Sequence, residues 1–348
     1  MSVTVDPKMS VTVDPKMSVT VDPKKKSVAV DLLQDPTDAK VDIVFVHGLP
    51  SAEGAWISKN GIFWPKTVLP ADKLNARILS LKYPVESVFF NGEDNLSRAS
   101  FRMITKLMIA RNDEQSKSRP VIFVAHCLGG MVLENALVNA SNNAVQKAII
   151  PCVRGVLLLG SPHFKDDEES LKAVRNYYTY SKRPQASIPN EIPNEIPNEI
   201  PNEIPNEIPN DNSLKQELQH LATIPQAFAA LKTSTEAKFE VECFCASVED
   251  SEVGLVVDKK LAKLSETSLQ TLGRTHLQLS QYEDANEADL DDVLDTLTRW
   301  VSQIDQASAN KQTGSGDVSN ATFSGSHNSG VQIGQNTGNS PFNWRNGN

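Results

Sequence analysis

Cysteine and aromatic residues are scarce in this sequence, with four cysteines among 348 residues and 6 % Phe, Trp and Tyr. Cys127, Cys152, Cys243 and Cys245 are too few for a disulfide-stapled secreted domain and read as free thiols of a reducing compartment. No apolar run approaches the ~20 residues of a membrane-spanning helix. The longest, IIPCVRGVLLLG, is short and carries Arg154. An excess of basic charge is also missing: Lys plus Arg number 34 against 43 Asp plus Glu, a net charge of −9, which excludes a dedicated nucleic-acid binder. There is no Walker P-loop, no G-x-G-x-x-G after a strand and no His/Cys cluster with zinc spacing, so no cofactor and no metal are called for. The first residues lack the apolar centre of a signal peptide, and a cytoplasmic protein is the expectation.

Three stretches depart from globular composition. Residues 1–26 are mostly three copies of MSVTVDPK, and residues 188–211 are mostly iterated IPNE. In residues 308–348, Gly, Asn and Ser fill 22 of 41 positions. Asp-Pro interrupts each unit of the first array, and proline every fourth residue of the second forbids helix interior and sheet centre. The first array is expected to be a disordered leader and the second an inserted surface loop. Between them lies enough chain, over 27–307, for one α/β domain with its own core.

Short, near-continuously apolar runs predict strands buried on both faces at Val41–Val46, Ala76–Leu81, Pro120–Ala125, Val153–Gly160 and Phe239–Ala246. In the last of these, alternation places Cys243 and Cys245 on one face. Helical patterns separate the runs at Ser97–Arg111, Gly129–Ala140, Asp166–Tyr180, Ser213–Lys232 and Ala285–Ile304. Strand and helix alternating in this way predict a doubly wound, mostly parallel sheet whose site lies at the carboxyl ends of the strands.

One strand end stands out. Ala125-His126-Cys127-Leu128-Gly129-Gly130 joins a strand to a helix with small residues two before and two after Cys127, which is the spacing of a nucleophile elbow. At the helix N-terminus the dipole favours a thiolate at Cys127, and the Leu128 N–H points where an oxyanion would develop. His47-Gly48, ending the first apolar strand, places a second N–H, that of Leu49, in the same role. Triads on such sheets run nucleophile, acid, histidine. Of six histidines, His276 lies furthest past the elbow before the low-complexity tail and is the candidate base. For the acid, Asp250 follows the strand FEVECFCA most closely and Asp258 is the alternative.

These residues carry a resemblance. His47-Gly48-Leu49, Trp56, Gly61-Ile62-Phe63-Trp64-Pro65, Leu69-Pro70, Ala76-Arg77-Ile78-Leu79, the elbow, and Leu159-Gly160-Ser161-Pro162-His163 occur in an order that resembles the lipase-like α/β-hydrolase domain of fungal SesB-like proteins, a group similar to the PGAP1 and SERAC1 hydrolases. The resemblance spans about residues 40–305 and supports His276 as the triad histidine. It departs at the elbow, which reads HCLGG where the family usually has HSLGG. A thiol in place of the hydroxyl leaves two expectations open: an acyl hydrolase with a cysteine nucleophile, or a hydrolase-fold scaffold without catalysis.

The tail carries a second resemblance. Asn328, Gly330, Val331, Gln332, Ile333, Gly334 and Asn336 are arranged almost symmetrically about Gln332, and this resembles the pseudo-palindromic prion-forming motif of fungal incompatibility proteins, which is similar to the RIP homotypic interaction motif. With one Asp and two basic residues in 308–348, little charge opposes in-register stacking. The resemblance implies homo-assembly through the tail. It also implies a NOD-like receptor bearing a matching motif as partner, a role in heterokaryon incompatibility and regulated cell death, and membrane lipid among the substrate classes, with membrane association after activation.

Overall fold

The computed structural model describes residues 28–49, 54–69, 74–88, 93–181, 211–235, 237–249 and 256–313. The repeat leader, the IPNE array, Asp250 and the residues of the pseudo-palindrome lie outside these. The chain divides into two compact units, 1–304 and 305–348, and the sheet and candidate site belong to the first.

Seven strands form one sheet among the described residues: β1 (Ala29–Gln34), β2 (Val41–Val46), β3 (Ala76–Lys82), β4 (Val121–His126), β5 (Val153–Leu159), β6 (Glu240–Ala246) and β7 (Ser268–Leu272). Their order is β1-β3-β2-β4-β5-β6-β7. Every neighbouring pair is parallel except β1 with β3. Five longer helices accompany it, α1 (Glu93–Ala110), α2 (Leu128–Ser141), α3 (Glu168–Ser181), α4 (Asp211–Lys232) and α5 (Ala288–Thr313).

Both faces are covered, and the period-2 geometry of a strand divides its side chains between them. Val41, Ile43 and Phe45 of β2 enter the cluster containing Leu290, Leu297 and Trp300 of α5. Val44 and Val46 enter the opposite cluster, with Met103 of α1, Val132 of α2, Val174 of α3 and Phe228 of α4. Cys243 and Cys245 fall together in that second cluster. All four cysteines are free thiols and buried. The antiparallel edge strand β1 is an element the apolar pattern does not announce. AVDLLQ is half-buried along most of its length and has neither the continuity of a central strand nor a clean alternation.

The amino end of β2 is anchored by charge. Asp42, fully buried, receives Arg77 as a two-pronged pair at 2.8 and 2.9 Å, Arg119 at 3.0 Å, and Arg111. A carboxylate can be buried here because both of its oxygens are bonded to cations. The pairs tie β2 to β3, to the end of α1 and to the approach to β4.

Candidate active site

At the carboxyl end of β4 the backbone turns sharply into α2 through Cys127, whose φ of 55° and ψ of −135° lie where residues with a Cβ are rarely found. Hydrogen bonds hold the turn, from Cys127 N–H to Leu159 O at 2.9 Å and from Gly130 N–H to Cys127 O at 3.1 Å. Close approach demands small neighbours. A Cβ at Gly129 would lie 2.3 Å from His47 O, and one at Gly48 would lie 2.5 Å from His126 O. The β2 and β4 ends can therefore press together only with glycine in both places, and the Leu49 N–H is carried to the elbow.

The Cys127 sulfur is fully buried and meets the N–H groups of Leu128 and Leu49, with the Tyr177 hydroxyl close by. Burial outweighs them and pushes the thiol up to about 11, so the protonated form prevails at neutral pH. This corrects the expectation that the helix dipole alone leaves a thiolate, because a charged sulfur with no water around it loses more in solvation than the dipole returns.

His276 enters from the turn after β7 and is buried. Its ring lies against Gly160, whose φ of +61° and missing side chain make the space, since a Cβ there would stand 2.9 Å from His276 Nδ1. Gly160 directly follows Leu159, the residue bonded to Cys127. The Tyr177 ring is centred 6.5 Å from that of His276. Cys127, Tyr177 and His276 thus form one buried cluster. Among the described residues neither ring nitrogen of His276 has a hydrogen-bond partner, and burial, with His126 alongside, depresses its pKa well below the usual histidine value.

His126 supports this cluster from below. Its Nε2 lies 2.9 Å from His276 O, its ring is 5.1 Å from that of His276, and burial lowers its pKa to about 4. A neutral imidazole at that nitrogen donates to the carbonyl. Trp56 packs edge-on to His126 at 6.2 Å, and Phe45, Trp64 and Tyr282 continue the aromatic floor.

The two candidate acids stand apart from this picture. Asp250 is outside the described residues. Asp258 caps the short helical turn Lys259–Ala262, its Oδ1 accepting from the N–H groups of Lys260 and Leu261 at 2.9 Å each. Among the described residues no carboxylate bonds His276. His163 is buried, with Nε2 2.9 Å from Glu134 Oε1 and Nδ1 3.1 Å from Ala262 O. Two groups lie beyond what the sequence signals: Tyr177, one of several aromatics on a helical pattern, and Glu134, a single acid on the apolar helix α2.

A mostly parallel sheet in this order, with a strained nucleophile elbow after β4 and a histidine after the last strand, defines an α/β-hydrolase fold. Residues 316–339 match the family described as a SesB domain on fungal death-pathway protein. The zebrafish (Danio rerio) Protein SERAC1 is 31 % identical over 145 residues, 36 % of this chain and 22 % of that protein. The human (Homo sapiens) Protein SERAC1 is 29 % identical over 146 residues, with the same coverage of 36 % and 22 %. The chain spans about a fifth of the length of these curated relatives. Among solved structures, a carboxylesterase of the thaumarchaeon Nitrososphaera gargenis is 12 % identical with a TM-score of 0.42, over 80 % of this chain and 97 % of that one. An esterase from Thermogutta terrifontis is 11 % identical at a TM-score of 0.40, over 82 % and 96 %.

Proposed function

We propose that this chain is an acyl hydrolase of the lipase or esterase type with Cys127 as nucleophile and His276 as base. The observation that carries the reading is the convergence of the Leu49 and Leu128 N–H groups on a sulfur held in a strained elbow, in one buried cluster with His276. The thiol proton passes to His276 as sulfur attacks the acyl carbonyl, and the two N–H groups hold the oxyanion. Collapse breaks the ester C–O bond, and the imidazolium returns the proton to the leaving alkoxide. Water, deprotonated by the same imidazole, then hydrolyses the thioester. Asp250 orients the imidazole in this reading, since Asp258 is held as a helix cap. Incubation with fluorophosphonate and thiol-directed acyl probes should label Cys127, and Cys127→Ala should abolish both labelling and ester hydrolysis while leaving the melting temperature near that of the parent. Ester turnover unchanged in Cys127→Ala refutes the assignment.

The biological setting follows from the tail. Homo-assembly through Val331-Gln332-Ile333-Gly334, templated by a NOD-like receptor with a matching motif, concentrates hydrolase domains as the effector step of fungal regulated cell death. The match of residues 316–339 and the low charge of the tail support it. A tail peptide should form seeded fibrils, and Val331→Asp should stop their growth by stacking carboxylates in a dry interface. Unimpaired growth removes this assignment. A second reading, a non-catalytic scaffold signalling through the tail, is favoured by the burial that holds Cys127 protonated and by the lack of a carboxylate partner for His276 among the described residues.

A further inference from the structure

The outer face of α1 combines exposed cations with exposed apolar side chains. At about 100° per residue, Arg98, Phe101, Arg102, Thr105, Lys106 and Ile109 fall within an arc of about 140°, while Leu96, Met103, Ile104 and Leu107 face the core. Phe101 is 48 % exposed and Ile109 58 %. A neighbouring segment extends the face. Gln146 Nε2 donates to Phe101 O at 2.9 Å and to Thr105 Oγ1 at 2.8 Å, which holds Val145, 72 % exposed, and Lys147 beside the helix. Five large apolar side chains are exposed among the described residues, and three of them belong here.

The charge is as uneven as the apolarity. In a chain of net charge −9, no acidic residue occurs from Asn95 to Asn112 or from Asn135 to Lys165. Arg98, Arg102, Lys106 and Lys147 are exposed and have no ion-pair partner among the described residues. Some cations elsewhere are matched, as Lys117 is by Glu114, Lys260 by Glu169 and Arg299 by Glu240, and others, such as Lys172, Lys215 and Lys238, stand singly and apart from exposed apolar side chains. Unpaired cations interleaved with protruding Phe, Ile and Val suit a surface that is anionic outside and apolar just beneath.

We propose that this face docks the domain on an anionic lipid bilayer, with Phe101, Ile109 and Val145 entering the headgroup boundary and Arg98, Arg102, Lys106 and Lys147 meeting lipid phosphates. The proposal concerns binding and stands without the catalytic reading. The test is flotation of the full chain with vesicles of phosphatidylcholine alone and with about 30 % phosphatidylglycerol added, over a range of salt. Binding is expected on the anionic vesicles alone, weakening as salt rises. Arg98→Glu with Arg102→Glu and Lys106→Glu should reduce it by about a hundredfold or more. Phe101→Ser with Ile109→Ser should reduce it by about tenfold and leave the salt dependence. The same three reversals at Lys172, Lys215 and Lys238, which are exposed elsewhere, should leave binding within about twofold, since the local field and not net charge decides. Cys127→Ala should bind like the parent, so loss of catalysis and loss of docking are read separately. Equal binding to neutral vesicles, no binding to anionic ones, or a loss as large in the Lys172/Lys215/Lys238 variant overturns the proposal.

Discussion

Replacing Cys127 by alanine and by glycine isolates the backbone strain at the elbow. Both variants lose the same buried sulfur, so their difference reports the Cβ alone. At an ordinary buried position glycine is less stable than alanine by about 1.5 kcal/mol, from greater unfolded-chain freedom and a lost methyl contact. At φ 55° and ψ −135°, however, alanine keeps a Cβ in backbone space that costs about 1–3 kcal/mol, and glycine escapes it. The expected difference therefore runs from Cys127→Gly less stable than Cys127→Ala by about 0.5 kcal/mol to more stable by about 1.5 kcal/mol. Urea unfolding at equal slope measures this as a difference in midpoint, and thermal unfolding of a domain this size as about 2–4 °C per kcal/mol. If glycine proves less stable than alanine by more than about 1 kcal/mol, the turn is unstrained and the elbow argument fails.

Acid should destabilise the domain through its buried imidazoles. Unfolded histidines take up protons near pH 6.5, while folded His126 stays neutral down to about 4, so stability is full above 6.5 and falls as pH drops across that window. His126 alone accounts for about 3 kcal/mol of that loss, and His126→Gln should melt with a visibly flatter pH dependence; an equal slope in both proteins would contradict the burial argument.

How far the sequence could be read depended on what each residue had to do. Strands β2 to β6 are legible because helices cover both faces, and such strands must be apolar throughout. The edge strand β1 is not, because half-burial asks only for mixed residues. The elbow is legible from spacing, since close approach of β2 and β4 admits only small side chains at fixed offsets. Asp42 is an acid inside the apolar run VDIVFV, and the run alone does not show what neutralises it. Its partners Arg77, Arg111 and Arg119 come from three distant places that no local pattern joins. The acid of the triad is illegible because a loop carboxylate orienting an imidazole and one merely solvated have the same local sequence. Asp258 illustrates the ambiguity: it sits where an acid was sought and serves there as a helix cap.

The complete burial of the Cys127 sulfur turns any thiol reagent into a clock. A reagent cannot touch an atom with no exposed surface, so each reaction must wait for the domain to open, and the observed rate is the intrinsic thiolate rate multiplied by the open fraction. An opening that costs about 4 kcal/mol would slow labelling about a thousandfold relative to a free cysteine at the same pH. Cys243 and Cys245 are about as deeply buried but rooted in β6, so they report larger openings, while Cys152 keeps 8 % exposure beside β5. Ranking the four rates would map which part of the molecule breathes first. A substrate tail reaching the elbow would use the same motion, so a ligand that holds the domain open should accelerate Cys127 and leave the other three unchanged.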